Sequence, residues 1–363
     1  MKQVSDSYEL VMQAARSGVE IYGLTVGVGL NKDHHLFDAK GALTEEARKA
    51  SEDFNRNILR SHSAGFGPYL DKEIVRLAMT IRLNTLLTGR SGAQPRVAEL
   101  YREFLNRDIT PVVPSRGSIG DADITLASHV GAFMMGEWRV LQDGKAVDAK
   151  AVLKEKGIEP LVPHGKDGLA ILSTNFVGVA MTMNALRTMR QALAVSPVVY
   201  GLTLEGMNGN VAPFLTQTVR NHPFTGLEDT AKIFRETLSG SYLWQFDAKR
   251  PLQDPLSFRT TVYTVSEARR ALDDLDTLVN IQVIYPSLKR GASDSFGLTA
   301  RTSCFSTHLR AKSPTDVAAL LRHLRPKRAP QASEHKGSRG DPPLRLFLSW
   351  RGEHEEASSI PFV

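Results

Sequence analysis

Three glycine-rich stretches offer the backbone freedom that ligand sites use: YGLTVGVG at 22–29, TGRSG at 88–92 and RGSIGDAD at 116–123. None carries the Gly-Lys followed by Ser or Thr of a phosphate-cradling loop. None opens a strand–helix unit with dinucleotide-binding spacing, so each taken alone reads as a tight turn. His34 and His35 are adjacent with no third ligand near in sequence, the pattern of exposed loop residues rather than of a metal centre. A GxSxG nucleophile elbow does not occur, and a single cysteine, Cys304, supplies neither an internal disulfide nor a sulfur-based metal site. The chemistry open to the chain therefore rests on dispersed oxygen and nitrogen side chains.

The elements that must position those side chains are helical. The 363 residues, 42 % apolar and 23 % charged, have globular composition and length for about two domains. Residues 72–88 carry Ile74, Leu77 and Ile81 on one face and stop at Gly89. Val97, Leu100, Tyr101, Phe104 and Leu105 then follow helical spacing before Pro111. Thr264 with Glu267 fits a capping box ahead of an apolar stripe of Ala268, Leu272, Leu275 and Val279. Strand alternation is almost absent and no repeat of solenoid length occurs. The longest uncharged stretch, Gly168 to Leu186, contains Ser173, Thr174, Asn175, Thr182 and Asn184, so a buried helix or loop is expected there and no membrane partner.

Net charge is +6, but 13 Lys/Arg against 7 Asp/Glu fall after residue 282, leaving 32 against 32 before it. A balanced body with a scattered basic tail argues against nucleic-acid binding. The start, MKQVSDSYEL, has no basic segment leading into an apolar one, so the expected compartment is the cytoplasm. After Gln282 apolar periodicity ends. Residues 283–363 read as a basic, Ser- and Pro-rich tail expected to be disordered, with only Asp316–Arg325 helical in pattern.

In order along the chain, IYGLTVGVG, NRNILRSHSAGFG, VRLAMTIRLNTLLTGRSG, FLNRDITPVVPSRGSIG, SHVGAFMMGEW, GKDGLAILSTN, GLTLEGMNGN and QDPLSFR resemble the aromatic amino-acid ammonia-lyase family, histidine ammonia-lyase included. The resemblance spans about residues 10–282. It implies a mainly α fold, a bundle of long antiparallel helices that assembles as a homotetramer with active sites drawing loops from three subunits. It divides the chain into an N-terminal lyase domain at 1–165, the first part of the central helical bundle at 166–282, and a non-family tail. Because the family continues here into a long helical region, the tail suggests a truncated or frameshifted reading. On that expectation the chain alone exposes apolar faces, dissolves poorly and is inactive.

The resemblance also implies roles. Tyr22 matches the family's catalytic tyrosine, whose phenol, with an ordinary pKa near 10, must lose its proton to act as a base. Arg259 matches the arginine that holds the substrate carboxylate, a task suited to a planar two-pronged donor, and Gln253 opens the same motif. Asn57 and His62 match positions near the bound ring and amine, His62 favouring an imidazole-bearing substrate. Ser173 aligns with an active-site asparagine and Asn175 follows it. Leu256 stands where many members carry tyrosine.

The largest departure lies at the family's electrophile, a methylidene-imidazolone made from an internal Ala-Ser-Gly. Here the chain reads Gly120, Asp121, Ala122, Asp123, one residue shorter and without the serine. The ring is therefore expected to be absent, and a substrate bringing its own good leaving group, such as a trimethylammonium betaine, is expected, as in the ring-free members of the ergothionase type. Asp121 and Asp123 are expected either to set negative charge near that cation or to cap a helix beginning near Ile124. Two other readings stand beside this one: conventional histidine ammonia-lyase activity, and an inactive homologue that only associates with lyase subunits.

Overall fold

A computed structural model describes residues 1–33, 35, 45–118, 122–142 and 144–284. His34, Gly120, Asp121 and the tail from residue 285 onward lie outside the described residues. The described chain is mainly α, as its periodicity implies. Helix α1 (Lys2–Arg16) packs against α3 (Lys72–Leu87) and α4 (Pro95–Asn106), while α2 (Glu45–His62) packs against α5 (Ile124–Met134) and α7 (Asp167–Leu172). A short α6 (Ala149–Glu155) lies between α5 and α7 in the chain. The long α8 (Phe176–Gly206) leads to α9 (Thr216–Val219), α10 (Leu227–Thr237), α11 (Leu256–Arg259) and α12 (Thr261–Ile284).

The helical stripes read from sequence face the core. Val97, Leu100, Tyr101 and Phe104 of α4 are all buried, and Phe104 meets Phe133 of α5 edge-on at 5.1 Å. Pro95 opens α4 at a position where a missing N–H costs nothing. One boundary differs from its sequence reading. Helix α12 starts at Thr261, three residues before Thr264. Thr264 is thus inside the first turn, its hydroxyl donating to Thr260 O at 3.3 Å, and Glu267 pairs with Arg270 instead of closing a capping box. Ala268, Leu272, Leu275 and Val279 still form the inward stripe.

Among the described residues, paired strands form two small antiparallel pairs: β1 (Phe66–Tyr69) with β2 (Pro114–Arg116), and the hairpin β3 (Arg139–Gln142) with β4 (Lys145–Asp148). The first pair lies between the end of α2 and the RGSIGDAD loop, and so fixes where both begin.

Two apolar clusters organise the helices. The larger joins α2, α3, α4, α5, α7, the first turns of α8 and the distal part of α12. The smaller gathers Leu204, Phe214, Phe234, Leu243 and Val262 around the far end of α8. With 31 residues, α8 runs about 46 Å at the usual rise per residue and connects the two clusters. The run Asp167–Gly206 is long and apolar enough to cross a membrane by length and composition, and about half of its apolar window is buried inside this fold.

Candidate active site

The site grows from the N-terminus of α8, where four backbone N–H groups of a helix lack internal partners. Asp123 supplies the acceptor. It is 5 % exposed, and its carboxylate takes N–H bonds from Gly178, at 2.8 Å, and from Val177, and a hydroxyl bond from Ser118. Burial pushes its pKa up, opposed by these three donors. Sequence reading left Asp123 between a charge for a substrate cation and a cap for the helix at Ile124. It does stand at the N-cap position of α5, but its side chain makes no bond there and caps α8 instead. Its backbone N–H donates to Thr174 O at 2.7 Å, so the RGSIGDAD loop is joined to the STN turn between α7 and α8.

That turn carries Ser173 and Asn175, both half-buried. Asn175 donates from Nδ2 to Oε1 of Gln282 at 3.3 Å, bringing the end of α12 to the same place. Tyr22 approaches from α7: a Cβ on its neighbour Gly23 would stand 2.9 Å from Leu169, which shows how closely the YGLTVGVG turn rests on that helix. Tyr22 is half-buried against the larger cluster, and its phenol oxygen accepts the Gly29 N–H at 2.9 Å. His62, at the end of α2, holds its Nδ1 2.8 Å from Ile58 O. A carbonyl can only accept, so Nδ1 carries the proton and Nε2 is the acceptor of the neutral ring. Behind it, Gly65 N–H reaches Nε2 of His129 on α5.

The remaining expected residues lie elsewhere. Asn57 is exposed on α2, and Gln253 is exposed in the loop before α11. Arg259 is half-buried; its Nε donates to Asp254 O at 3.0 Å, and its two Nη groups have no partner among the described residues. Asp254 is buried and accepts both the backbone N–H of Asn210, at 2.7 Å, and its side-chain amide, so the GMNGN and QDPLSFR motifs form one unit. This unit sits beside Leu204, 26 residues along α8 from Gly178, or roughly 39 Å of helix axis.

Sequence reasoning missed three buried polar residues near the first group. Asn55, not Asn57, faces inward, with Nδ2 on Ser51 O and Gly165 O and Oδ1 accepting Gly168 N–H at 2.7 Å. The i, i+3, i+4 relation of Asn55 to Ile58 and Leu59 was the available signal. Lys166 and Asp167 are buried charges at the start of an apolar run, a combination rarely found without partners. Asp167 accepts the backbone N–H groups of Gln94 and His164, and burial pushes its carboxyl up. Burial pushes the Lys166 ammonium down to about 7.

With this geometry in place, the comparisons with known proteins are decisive for family. The aromatic amino acid lyase family model matches residues 1–284, and the chain belongs to that family. A histidine ammonia-lyase of Treponema denticola is 32 % identical over 260 residues, covering 71 % of this chain and 49 % of that protein. An MIO-dependent tyrosine 2,3-aminomutase of Streptomyces globisporus is 34 % identical over 259 residues, covering 68 % and 45 %. Among solved structures, the ergothioneine-degrading ergothionase of Treponema denticola, in complex with desmethyl-ergothioneine sulfonic acid, superposes with a TM-score of 0.71 at 34 % identity, covering 79 % of this chain and 56 % of that one. The chain spans about half the length of the curated relatives it matches.

The capping contact can be tested without substrate. Asp123→Ala strands the N–H groups of Val177 and Gly178 and should cost about 1–3 kcal/mol. The loss should appear as a lower urea midpoint at unchanged slope. Asp123→Asn keeps one oxygen acceptor and should lose less. A midpoint unmoved by the alanine variant contradicts the capping role.

Proposed function

We propose that the protein is a cytoplasmic, homotetrameric carbon–nitrogen lyase that eliminates an amine from an imidazole-bearing or aromatic amino acid, or from its trimethylammonium betaine, to leave an α,β-unsaturated acid. The observation that carries the betaine reading is at the turn before α5. The methylidene-imidazolone of related lyases does not fit this chain: Ala122 offers a buried methyl with no oxygen to lose, and the adjacent Asp123 carboxylate is committed to α8. No step passes through that group.

The residues present support an elimination driven by the substrate. Arg259 has two Nη donors without partners among the described residues, the geometry that receives a carboxylate in parallel bonds. His62, with Nδ1 held on Ile58 O, presents Nε2 to a ring N–H. Tyr22, as its phenolate, takes the β-proton. The C–H electron pair becomes the new double bond, the C–N pair leaves with nitrogen, and a quaternary ammonium departs as a neutral amine without needing a proton. Asn57 and Gln253, both exposed, are assigned to the same centre.

Distance supports the assembly: Asn175 stands at the start of α8, while Arg259 belongs to the unit beside Leu204 near its end, which favours a centre completed by other copies. The exposed face of α8 carries Met181, Met189, Val195, Val199 and Leu202, spaced as one apolar stripe that other helices would cover. The same stripe, with the half-length span against relatives, favours a second reading, a chain that only associates with lyase subunits.

Incubation of the full chain with histidine, phenylalanine and ergothioneine, followed by ultraviolet absorbance, separates these readings. The lyase reading expects elimination from the betaine alone. Urocanate or cinnamate formed as readily overturns the betaine reading, and assembly without any turnover supports association only. For the shared centre, Tyr22→Phe and Arg259→Met should each abolish turnover, while co-assembled mixtures should regain on the order of a quarter of it, because some centres draw both residues from intact copies. No recovery in mixtures contradicts a centre shared between chains.

A further inference from the structure

The end of α2 that carries His62 is fastened to α5 by a side chain that plays no part in the elimination described above. Gly65 N–H donates to Nε2 of His129 at 3.1 Å, and His129 is 0 % exposed. A backbone donor on Nε2 makes that nitrogen the acceptor, so the ring proton belongs on Nδ1 and the ring is neutral. Burial acts in the same direction, pushing the pKa down to about 4.

The contact admits little slack. The imidazole lies on the indole of Trp138, ring centres 4.4 Å apart, and Trp138 is itself held by its Nε1–H on Val112 O at 2.7 Å. A Cβ on Gly65 would come within 3.0 Å of His129 Nε2 and 3.2 Å of Pro114 in β2. One on Gly117, where φ is +135°, would come within 3.2 Å of the Gly65 Cα and 2.6 Å of Thr125 Oγ1. The segment after His62 therefore rests directly on the strand that leads into Ser118–Asp123. Asp123 in turn precedes His129 by six residues on the same helix, about 9 Å of axis.

The choice of histidine here is not explained by packing. Among the described residues, Nδ1 of His129 is buried without a hydrogen-bond partner, as is Thr125 Oγ1 one turn away. A stranded buried donor is unfavourable, and a phenyl ring would fill the same space against Trp138 without one. What the imidazole adds is the single acceptor that Gly65 N–H uses.

We propose that His129 is a positioning residue: a neutral, Nδ1-protonated imidazole whose Nε2 sets the spacing between His62, at the end of α2, and the Asp123 cap, at the start of α5. Its link to substrate rests on the lyase reading given above; its link to the loop does not.

The experiment starts on the full wild-type chain with nitrogen-labelled histidine. At neutral pH the His129 resonances should show a protonated Nδ1 and a bare, hydrogen-bonded Nε2, and the Gly65 amide should be protected from hydrogen exchange. The opposite tautomer, an imidazolium, or an unprotected Gly65 amide overturns the proposal with no variant needed. His129→Phe should speed Gly65 exchange about tenfold and shift the His62 resonances, whereas His129→Gln, with an oxygen acceptor, should restore both. Gly65→Ala, which leaves His129 in place, should also displace His62. His62 resonances unmoved by both His129→Phe and Gly65→Ala overturn the positioning role. With a turned-over imidazole substrate, His129→Phe should raise KM about tenfold with a smaller change in kcat, and His129→Gln should reverse this. Absence of turnover in the wild type refutes the lyase reading alone, because tautomer and exchange are read without substrate.

Discussion

The Asp123 carboxylate accepts the first N–H groups of α8, and most of what defines the centre depends on that contact. A buried carboxylate is unfavourable unless its oxygens are occupied; here the donors are the otherwise unpaired groups of a helix N-terminus, where the helix dipole also favours negative charge. Three segments far apart in sequence thereby meet: the loop before α5, the turn before α8 and, through Asn175 and Gln282, the end of α12. At this turn the chain uses the Asp123 carboxylate as a structural pin.

Length decides the rest. Along α8, Gly178 at the Asp123 end and Leu204 beside the Arg259 unit are roughly 39 Å apart in helix length, and each end has its own apolar cluster. Tyr22 and Arg259 thus stand on separate parts of the chain, and an exposed apolar stripe of α8 lies between the two clusters.

The helices were legible in sequence where a local rule governs them. Apolar spacing marked α3 and α4, and Gly89 marked the end of α3, because turn geometry acts within a few residues. The misplaced start of α12 has the same origin: Thr264 and Glu267 have the right spacing for a capping box, but α11 already brings the chain into helical direction at Thr261, and a local motif does not register that. The glycine turns and their order indicated the family without revealing the contacts. Asp123 bonds across 55 residues, and Asn55 across 110 and 113. Nothing in periodicity could have told that Asp123 caps a helix other than its own. Asn55 lies on the inward face that its spacing to Ile58 and Leu59 defines, whereas Asn57 is exposed. His129 lies inside an apolar run, and Lys166 and Asp167 stand at the start of one, where their burial becomes visible only once the helices pack.

The central claim is that no internal electrophile forms at the turn preceding α5. Tryptic cleavage after Arg116 and after Arg139 releases the peptide Gly117–Arg139, which contains the whole turn. Its mass, measured on protein purified from cells, should equal that of the unmodified sequence. A peptide lighter by the loss of water, with fragmentation placing a cyclised backbone between Gly120 and Asp123, would contradict the account.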